Sequence, residues 1–383
     1  MTAPLRIDSH VHVALLGEDP HFKGYGAISP WLRQQLVFRI MLLYGRIPPD
    51  QVSDRTLRDA ALRTILTSSL DHVVCLALDP VYDEDGIRRE ERSHLWVDNR
   101  YILDHLQPHA HKRILLGASV HPYDPGFTTR VAEAVDRGAV LLKWLPSAQH
   151  IRLSDPRVRV ALEFLATAGR GGRPLPLLLH CGYEGAIPSS DPRTYAYDYL
   201  SWGTLDRIRN ALRSKGERAE TPDIGATLAN LRAGVKAGAR VILAHCGLPF
   251  YAPKFLGPFE HSDFPAVRML LEESAAHPEA RGRFLADVSA CVTPFRKSYF
   301  KDIAKLPPDH LLAASDFPVP VFELSADLGE NLDDLRAMFG RGELDRIVVP
   351  QDNHLDVNWR ELKHAFGEHP MFRTAPDLLL PPS

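Results

Sequence analysis

Four histidines stand at the ends of apolar runs, where their imidazole nitrogens could bind a metal ion. The first run ends in DSHVH, which contains His10 and His12. In a β-strand, successive side chains point to opposite faces, so Asp8, His10 and His12 would share one face. Two later runs each end in a single histidine followed by Cys-Gly, at His180 and His245. Taken alone, each of these is more often an ordinary surface or core histidine than a ligand.

Two further polar residues occupy the equivalent place on other apolar runs. Lys143 lies near the end of VLLKWL, and Asp316 follows LLAAS. A polar group without a partner in a protein interior is costly, and an unpaired charge costs far more. Chance is a poor explanation for five runs that all carry such a residue at the same end. The pattern therefore predicts a metal site assembled from the carboxyl-terminal ends of several strands.

Short apolar runs that alternate with amphipathic segments must position these residues. Runs such as VVCLAL and VILAHC are typical of strands buried on both faces, as in parallel sheets. The predicted strands lie near Leu5–Val13, Asp71–Leu78, Arg113–Val120, Ala139–Leu145, Leu175–Cys181, Arg240–Cys246, Arg283–Ser289 and Leu311–Phe317. The predicted helices include Asp54–Leu70, Thr128–Arg137, Pro156–Ala168, Gly225–Gly238, Phe264–Ala276 and Asp327–Phe339. This alternation predicts an α/β fold, a closed (β/α)₈ TIM barrel. An open doubly wound sheet is the alternative, and the lack of GxGxxG after the first strand weakens it.

Two long segments interrupt this alternation. Residues 17–51 follow the first strand and include Trp31, and residues 183–223 follow the fifth and include Tyr197. On a barrel, both insertions rise from the carboxyl-terminal rim, where active sites form. We interpret them as walls or lids over the site. The alternative is that they are surface excursions with small hydrophobic clusters of their own.

The length of the chain is compatible with one domain, because α/β barrels use about 200 to over 400 residues. We therefore predict a single barrel domain over residues 1–383. A carboxyl-terminal extension at about 349–383 is expected to add a helix. Three prolines near the end of the chain, Pro376, Pro381 and Pro382, predict a tail.

Composition excludes several functional classes. Lys and Arg total 45 against 48 Asp and Glu, a net charge of −3, and no basic run is present, which argues against nucleic-acid binding. No apolar stretch approaches the roughly 18 residues of a membrane span, and the amino terminus lacks a secretory signal pattern. Four widely separated cysteines are typical of reduced thiols. We therefore expect a cytoplasmic protein whose partner is a small-molecule substrate.

In this order, the motifs resemble those of the amidohydrolase superfamily of metal-dependent barrel enzymes. Their wording is most similar to the amidohydrolase-2 branch, which includes the aminocarboxymuconate-semialdehyde decarboxylase-like enzymes. SDFP at 315–318 and ADVS at 286–289 carry this finer likeness. The resemblance covers roughly residues 4–320. One departure is DNH at 352–354, where the branch often has an Asn-Ala pair.

The resemblance implies one divalent metal with four ligands, His10, His12, His180 and Asp316. In two-metal members the strand-four lysine is carboxylated and bridges the ions, and the histidines of strands five and six hold the second ion. Lys143 and His245 leave that option open, although one ion is favoured over two. Otherwise Lys143 is an ammonium that pairs with Asp316 or Glu184, or that contacts a substrate carboxylate. Imidazole and carboxylate ligands suit Zn²⁺, with Mn²⁺, Fe²⁺ or Co²⁺ as alternatives.

The predicted activity is metal-dependent hydrolysis of a C–N or C–O bond in an amide, lactone or ester. A water on such a metal can have a pKa of about 7. Asp316 would take the proton of this metal-activated water as general base, while His245 and the metal polarise the carbonyl. One alternative is non-oxidative decarboxylation of a small carboxylic acid at the same site. Another is a barrel that binds metal or ligand without turnover. The resemblance also suggests a homodimer.

Weaker candidates lie at the ends of strands three and seven. His121 could contact substrate, Asp287 could orient a ligand histidine, and Arg296 and Lys297 could bind an anionic substrate group. Each has a simpler interpretation, as a loop residue, a helix cap or a solvated charge. The cysteines that follow His180 and His245 are expected to face away from the metal.

Overall fold

An eight-stranded parallel sheet forms the centre of this computed structural model, which describes residues 5–213, 220–249, 261–277, 282–319 and 352–380. Each strand pairs in parallel with the next barrel strand along the chain. The strands are β1 (Ile7–His12), β2 (His72–Leu76), β3 (Ile114–Ala118), β4 (Ala139–Trp144), β5 (Leu177–Leu179), β6 (Arg240–Leu243), β7 (Arg283–Asp287) and β8 (Leu311–Leu312). These are the strands that the apolar runs predict.

The segment after β8 returns to β1 and closes the sheet. Val11 and Phe317 form a parallel bridge. The backbone N–H of His12 donates to the Phe317 carbonyl at 2.8 Å, and the N–H of Asp316 donates to the His10 carbonyl at 2.9 Å. The predicted (β/α)₈ barrel is confirmed. These backbone hydrogen bonds also bring the candidate ligands His10 and His12 of β1 next to Asp316, the candidate ligand that follows β8.

Helices and short strand pairs surround the barrel. The helices are α1 (Pro30–Arg33), α2 (Leu36–Tyr44), α3 (Asp54–Thr67), α4 (Asn99–Tyr101, followed by a π-type turn at Ile102–Leu106), α5 (Phe127–Asp136), α6 (Pro146–Gln149), α7 (Pro156–Leu165), α8 (Thr204–Arg213), α9 (Ile224–Ala237), α10 (Phe264–Ala276), α11 (Pro294–Lys297), α12 (Phe300–Ile303), α13 (His354–Phe366) and α14 (Met371–Leu379). The antiparallel pairs are Gly26–Ile28 with Leu95–Val97, and Val81–Tyr82 with Arg88–Arg89. The helix expected at 327–339 lies outside the described residues. None of the described helices has the length and apolar character of a membrane span.

Two apolar layers lie on the two sides of the strands. The inner layer fills the barrel with one or two side chains from most strands, including Ile7, Leu178 and Leu312. Alternate residues of the same strands point outward and pack against the helices. Inward and outward side chains alternate along each strand. A polar residue next to an inner-layer residue therefore faces outward, and a polar residue two positions away faces inward, wherever the strand is regular.

Up to Leu380, the carboxyl-terminal region closes the inner layer and does not form the expected tail; Pro381 and Pro382 lie outside the described residues. Helix α14 contacts β8 and β1, and its Leu378 and Leu379 belong to the inner apolar cluster. Pro376, which suggested a tail, lies inside this helix. A proline at this position removes one backbone donor, but the apolar face on either side of it remains buried. The extension therefore adds two helices, and the second one packs against the barrel core.

Candidate metal centre

Three potential ligand atoms converge at the carboxyl-terminal ends of β1 and β8. His10 Nε2 lies 3.1 Å from His12 Nε2. Asp316 Oδ1 lies 3.3 Å from His10 Nε2 and 3.2 Å from His12 Nε2. Atoms that offer lone pairs repel each other at such distances unless a proton or a cation lies between them. This arrangement is what a divalent metal with imidazole and carboxylate ligands requires.

A bulge in β1 directs these histidines inward. Asp8 pairs with Val73 and Val11 pairs with Cys75, so β1 contains one more residue than β2 between the two points. Ile7 packs inside the barrel and Val11 outside, so strict alternation from Ile7 would have turned His10 outward. The expectation that Asp8 shares the face of His10 is wrong because the bulge reverses the alternation.

The Asp8 carboxylate contacts backbone groups. Its Oδ1 accepts hydrogen bonds from the N–H of His10 at 3.1 Å and of Ser315 at 3.0 Å. Burial raises the pKa of Asp8 to about 7. Asp8 therefore ties β1 to the segment after β8, next to the ligand atoms.

Lys143 lies beneath the convergent atoms and is fully buried. Its Nζ is 3.4 Å from His10 Nε2. Leu141 belongs to the inner layer, so alternation along β4 turns Lys143 inward and Trp144 outward, as the sequence predicts. Burial lowers the pKa of Lys143, and the nearby carboxylates of Asp316 and Asp287 only partly oppose this.

His245 reaches the centre through an unusual backbone conformation. Ala244 is part of the inner layer, so a regular strand would direct His245 outward. Instead His245 has a φ of 55° and Cys246 a φ of 51°, in the left-handed region that non-glycine residues rarely adopt. The His245 ring stacks on His10 with a centroid distance of 5.2 Å and contacts His180 at 5.1 Å.

The glycine that follows permits this turn. Gly247 has a φ of 63°, and a Cβ atom there would lie 2.9 Å from Asp263 and Val267 side-chain atoms. The His-Cys-Gly sequence at 245–247 therefore places a ligand-type side chain two residues before a position where only glycine fits without strain.

His180 follows β5, whose Leu178 faces inward, so alternation brings this histidine to the same end of the barrel. Its buried Nε2 makes no hydrogen bond within the described part of the chain. Oε2 of Glu184 lies 3.4 Å from it. A buried nitrogen without a partner is unfavourable, and a metal ion would satisfy it.

Asp287, at the end of β7, holds two of the histidines. Its Oδ2 accepts a hydrogen bond from His10 Nδ1 at 2.8 Å. Its Oδ1 accepts from the His245 backbone N–H at 2.8 Å and from the Ser289 hydroxyl at 2.5 Å. The alternative role as a cap for the next helix is not observed, because Thr293 occupies the N-cap of α11. With Nδ1 protonated, His10 presents the lone pair of Nε2 to His12 and Asp316.

The environment fixes the charges of these groups. Burial lowers the pKa values of His10, His180 and His245 well below the usual value, so the rings are neutral at pH 7. Burial alone would raise the pKa of Asp316, but His10, His12 and Lys143 outweigh it and lower the pKa. Neutral imidazoles and an ionised carboxylate are the states in which these groups bind a metal.

A cavity of about 380 Å³ opens above these residues. Its floor includes His12, His180, His245 and Asp316, with Glu184 and Arg296 beside them. His10 and Lys143 are buried and do not line it. The size is in the range of small-molecule sites, which span roughly 300 to 1,000 Å³. The cavity therefore gives a small molecule access to most of the predicted site residues.

The two insertions contribute unequally to this cavity. Trp31 and much of the first insertion line it, as the sequence predicts. Among the described residues of the second insertion, only 184–188 do so. Tyr197 is buried elsewhere, and its hydroxyl donates to Glu220 and accepts from Arg152. The prediction of a wall or lid thus holds for the first insertion and for only a short part of the second.

The weaker candidates divide in the same way. His121 is buried, with Nε2 2.8 Å from the Gln149 carbonyl and Nδ1 accepting from the Tyr123 N–H, so both ring nitrogens have protein partners. Lys297 lies 3.5 Å from Glu361, whereas Arg296 lines the cavity. The thiols of Cys181 and Cys246 donate to backbone carbonyls, as expected for side chains that face away.

Two residues at the site, Glu184 and Ser289, are not among the functional residues that the sequence predicts. The sequence indicates Glu184 only as a partner of Lys143, and Ser289 only as part of a motif. The position of Glu184, four residues after His180, was the available signal. Ser289, two residues after Asp287, gave a similar signal.

The solved structures to which this chain is similar are remote in sequence. An amidohydrolase from Burkholderia multivorans with bound zinc is 16% identical, with a TM-score of 0.45, over 94% of this chain and 99% of that chain. Amidohydrolase 2 from Bifidobacterium longum subsp. infantis is 17% identical, with a TM-score of 0.40, over 95% and 99%. A probable 2-pyrone-4,6-dicarboxylic acid hydrolase from Acinetobacter baumannii with bound citric acid is 12% identical, with a TM-score of 0.43, over 92% and 99%. A search of the curated proteins found no match.

The family assignment comes from the sequence as a whole. The family model Amidohydro_2, described as amidohydrolase, matches residues 7–351. This match includes every strand of the barrel and all the candidate ligands. It confirms the resemblance to the amidohydrolase-2 branch. The chain therefore belongs to the amidohydrolase family and is a metal-dependent, hydrolase-like enzyme.

Proposed function

We propose that this enzyme hydrolyses a C–N or C–O bond in a small amide, lactone or ester. The observation that carries the proposal is the convergence of His10 Nε2, His12 Nε2 and Asp316 Oδ1 within 3.3 Å of one another, at the base of the cavity. A single Zn²⁺ would be held by these three residues and by His180, whose buried Nε2 lacks a hydrogen-bond partner among the described residues. When bound, the metal supplies a Lewis acid and lowers the pKa of water to about 7. Mn²⁺, Fe²⁺ or Co²⁺ could use the same ligand types.

Asp316 acts as the general base in this proposal. Its lowered pKa keeps the carboxylate ionised at neutral pH, so it can accept a proton from water and pass it to the leaving group. Oδ1 faces the two β1 histidines, and Oδ2 lies 3.7 Å from His245 Nδ1. Two oxygens with different neighbours allow one residue to serve as both ligand and base.

The hydrogen bonds of His245 favour one tautomer. Ser289 donates its hydroxyl proton to Asp287, so the Ser289 oxygen is free to accept from His245 Nδ1, which lies 2.8 Å away. A neutral ring that donates through Nδ1 carries its lone pair on Nε2. This supports a role for His245 as an additional ligand or a proton acceptor. Polarisation of a substrate carbonyl would instead require a proton on Nε2.

Lys143 is compatible with two roles. Because burial lowers its pKa, a larger fraction of the side chain is the neutral amine, which can react with carbon dioxide to form a carbamate that bridges two ions. The retained ammonium would instead neutralise the carboxylates of Asp316 and Asp287, which stabilise that form. We favour the single-ion site with an uncarboxylated Lys143.

Arg296 favours decarboxylation of a small carboxylic acid as a second candidate function. Its side chain is buried at the cavity. Its guanidinium donates to the backbone carbonyl of Pro249 at 2.9 Å, and after burial its charge is the largest cause of the lowered pKa of His245. A cation there suits a substrate carboxylate. Release of carbon dioxide from aromatic or dienoic acids by the metal-loaded protein would favour this function over hydrolysis.

The proposal is tested by metal analysis and by a panel of esters, lactones and amides. We expect about one zinc per chain and turnover that Asp316→Asn lowers by about 100-fold or more, in line with general-base contributions. The zinc content of the variant must be measured, because Asp316 is also a proposed ligand. Asp50→Asn, which changes an exposed carboxylate outside the cavity, is the control and should keep full turnover. Near-normal turnover in zinc-loaded Asp316→Asn would remove this residue from the role of base.

The remaining sequence-based expectations are independent of this test. A homodimer, the absence of nucleic-acid binding and a cytoplasmic location stay predictions. A small-molecule substrate is supported by the size of the cavity.

A further inference from the structure

The cavity has chemically different ends. The polar residues at its floor are His12, His180, His245, Asp316, Glu184 and Arg296. Away from the floor, the wall that the first insertion contributes is almost entirely apolar. Its main members are Ile28, Trp31, Leu36, Val37, Ile40 and Met41. Among the side chains of α1 and α2 that line the cavity, Gln35 at the start of α2 is the polar exception. A ligand that extends from the floor along this wall therefore contacts apolar side chains.

Part of this wall is exposed. Trp31 is 46% exposed and Leu36 is 41% exposed, which places both among the few large apolar side chains on the described surface. Val37, Ile40 and Met41 are only half-buried. An exposed apolar patch next to the polar residues of an enzyme site is typical of a groove that binds a ligand, whereas single apolar residues scattered over a surface are common and need no such explanation.

Hydrogen bonds hold α1 and the segment before it in place. Four consecutive backbone N–H groups, from Leu16 to Asp19, donate to the Asp54 carboxylate at 2.5 to 2.9 Å. Arg33 of α1 donates to the Ile28 carbonyl at 3.0 Å and to the Leu16 carbonyl at 2.9 Å. These bonds connect the insertion to α3 and to the segment that follows β1. A preformed apolar surface loses little conformational entropy when it binds a ligand.

We infer that the substrate carries an uncharged hydrocarbon arm, alkyl or aryl, which lies along α1 and α2 while its reactive carbonyl lies at the floor. This inference rests on the proposed hydrolytic function and adds the substrate class. The polar side chains are concentrated at one end of the cavity, so the charged or reactive part of the substrate belongs there. A second charged group at the far end of the substrate would be desolvated against the apolar wall without a partner.

A homologous series of alkyl hydroxamates tests the inference without requiring turnover. Hydroxamates bind metal ions through two oxygens, so their alkyl chain extends away from the floor. Calorimetric titration of the zinc-loaded protein with aceto-, butano-, hexano- and octanohydroxamate would give the affinities. We expect about a fourfold gain in affinity for each added methylene until the wall is covered. Equal affinities for the shortest and longest members would overturn the inference.

Two matched variants locate the arm. Leu36→Asn places an amide on the wall, and we expect it to weaken octanohydroxamate binding about tenfold. Leu205→Asn makes the same change on α8, at a leucine that is 47% exposed and does not line the cavity, and it should keep the wild-type affinity. If both variants bind octanohydroxamate as tightly as the wild type, the arm does not lie on this wall and the inference fails.

Turnover of p-nitrophenyl esters of the same chain lengths separates this inference from the proposed function. A gain along the hydroxamate series with no turnover of any ester, lactone or amide would refute hydrolysis and support the apolar arm. Turnover that does not depend on chain length, together with a flat hydroxamate series, would support hydrolysis and refute the arm.

Discussion

Replacement of Asp287 by asparagine tests how the protein holds His10 in the tautomer that can bind a metal. In the carboxylate, Oδ1 accepts from the His245 backbone and from Ser289, and Oδ2 accepts from His10 Nδ1. Asparagine has one oxygen and one NH₂ group. Because three donors meet at the Oδ1 position, the His245 N–H and both the N–H and the hydroxyl of Ser289, the amide oxygen should occupy it and the NH₂ group should face His10. If His10 Nδ1 accepts from this NH₂ group, the ring proton moves to Nε2, the nitrogen that faces His12 and Asp316. Ser289 Oγ, 3.1 Å from Nδ1, is the other acceptor within reach of a proton on Nδ1.

The size of the effect follows from this geometry. A proton on Nε2 must be removed before that nitrogen can bind a metal, and the ring also loses the carboxylate that stabilises its orientation. Loss of such a partner lowers metal affinity by about 10- to 100-fold. That corresponds to about 1.4 to 2.7 kcal/mol of binding free energy, at about 1.36 kcal/mol for each factor of ten. We expect turnover at limiting zinc to fall in proportion.

Competition with a chromophoric chelator at pH 7 would measure the zinc affinity of the variant. Asp8→Asn is the matched control, since Asp8 is also a buried carboxylate near His10 but accepts from the backbone N–H groups of His10 and Ser315, bonds that an amide oxygen keeps. We expect Asp8→Asn to remain within about threefold of the wild type, an effect of well under 1 kcal/mol. Equal zinc affinities for Asp287→Asn and the wild type would refute the tautomer argument. A larger loss of zinc affinity in Asp8→Asn than in Asp287→Asn would show that Asp8 contributes more to zinc binding than Asp287 does.

Two predictions concern stability away from the metal centre. Burial alone would lower the pKa of His261, but hydrogen bonds from the ring to Asp206 and Asp263 raise it from 6.5 to about 9, and Tyr199 stacks on the ring at 3.6 Å. This pair of bonds therefore contributes up to about 3 kcal/mol to the free energy of unfolding below pH 6.5. That contribution is lost as the pH rises through about 9, where the folded-state His261 gives up its proton. Urea unfolding between pH 6 and pH 9.5 should show this loss in the wild type and not in His261→Asn; the same pH dependence in both would contradict it. Leu378→Ala in α14 should lower the free energy of unfolding by about 2 to 4 kcal/mol, because this side chain packs into the barrel interior. The exposed Leu205→Ala should stay within about 0.5 kcal/mol, and similar urea midpoints for the two variants would show that α14 does not stabilise the barrel.

The repeated strands and the rim residues were readable from the sequence because they depend on local patterns. Continuous apolar runs are needed when both faces of a strand are buried, so the eight strands could be located. Lys143 and His180 follow the alternation of their own strands, and their inward direction was predictable. A polar residue at the end of such a run stands out because burial without a partner is costly.

Other features depend on contacts between distant segments. Ser289 gave only a short-range signal, and its contact with His245, 44 positions earlier in the chain, comes from the closed barrel. The apolar wall depends on how Asp54 fixes the first insertion, and residues 16–19 and 54 are separated by more than thirty positions. Helix α14 closes the barrel although its proline suggested a tail, because its apolar face matches the open end of the inner layer.

The sequence by itself determined which residue types reach the carboxyl-terminal rim of a barrel, since the side-chain period of a strand and the cost of burying a polar group are local properties. The tertiary structure decided how those residues meet. The bulge in β1 and the left-handed backbone at His245 both reverse the direction that strict alternation would give. Such conformations are unfavourable in an isolated strand and persist only where the surrounding packing and hydrogen bonds stabilise them.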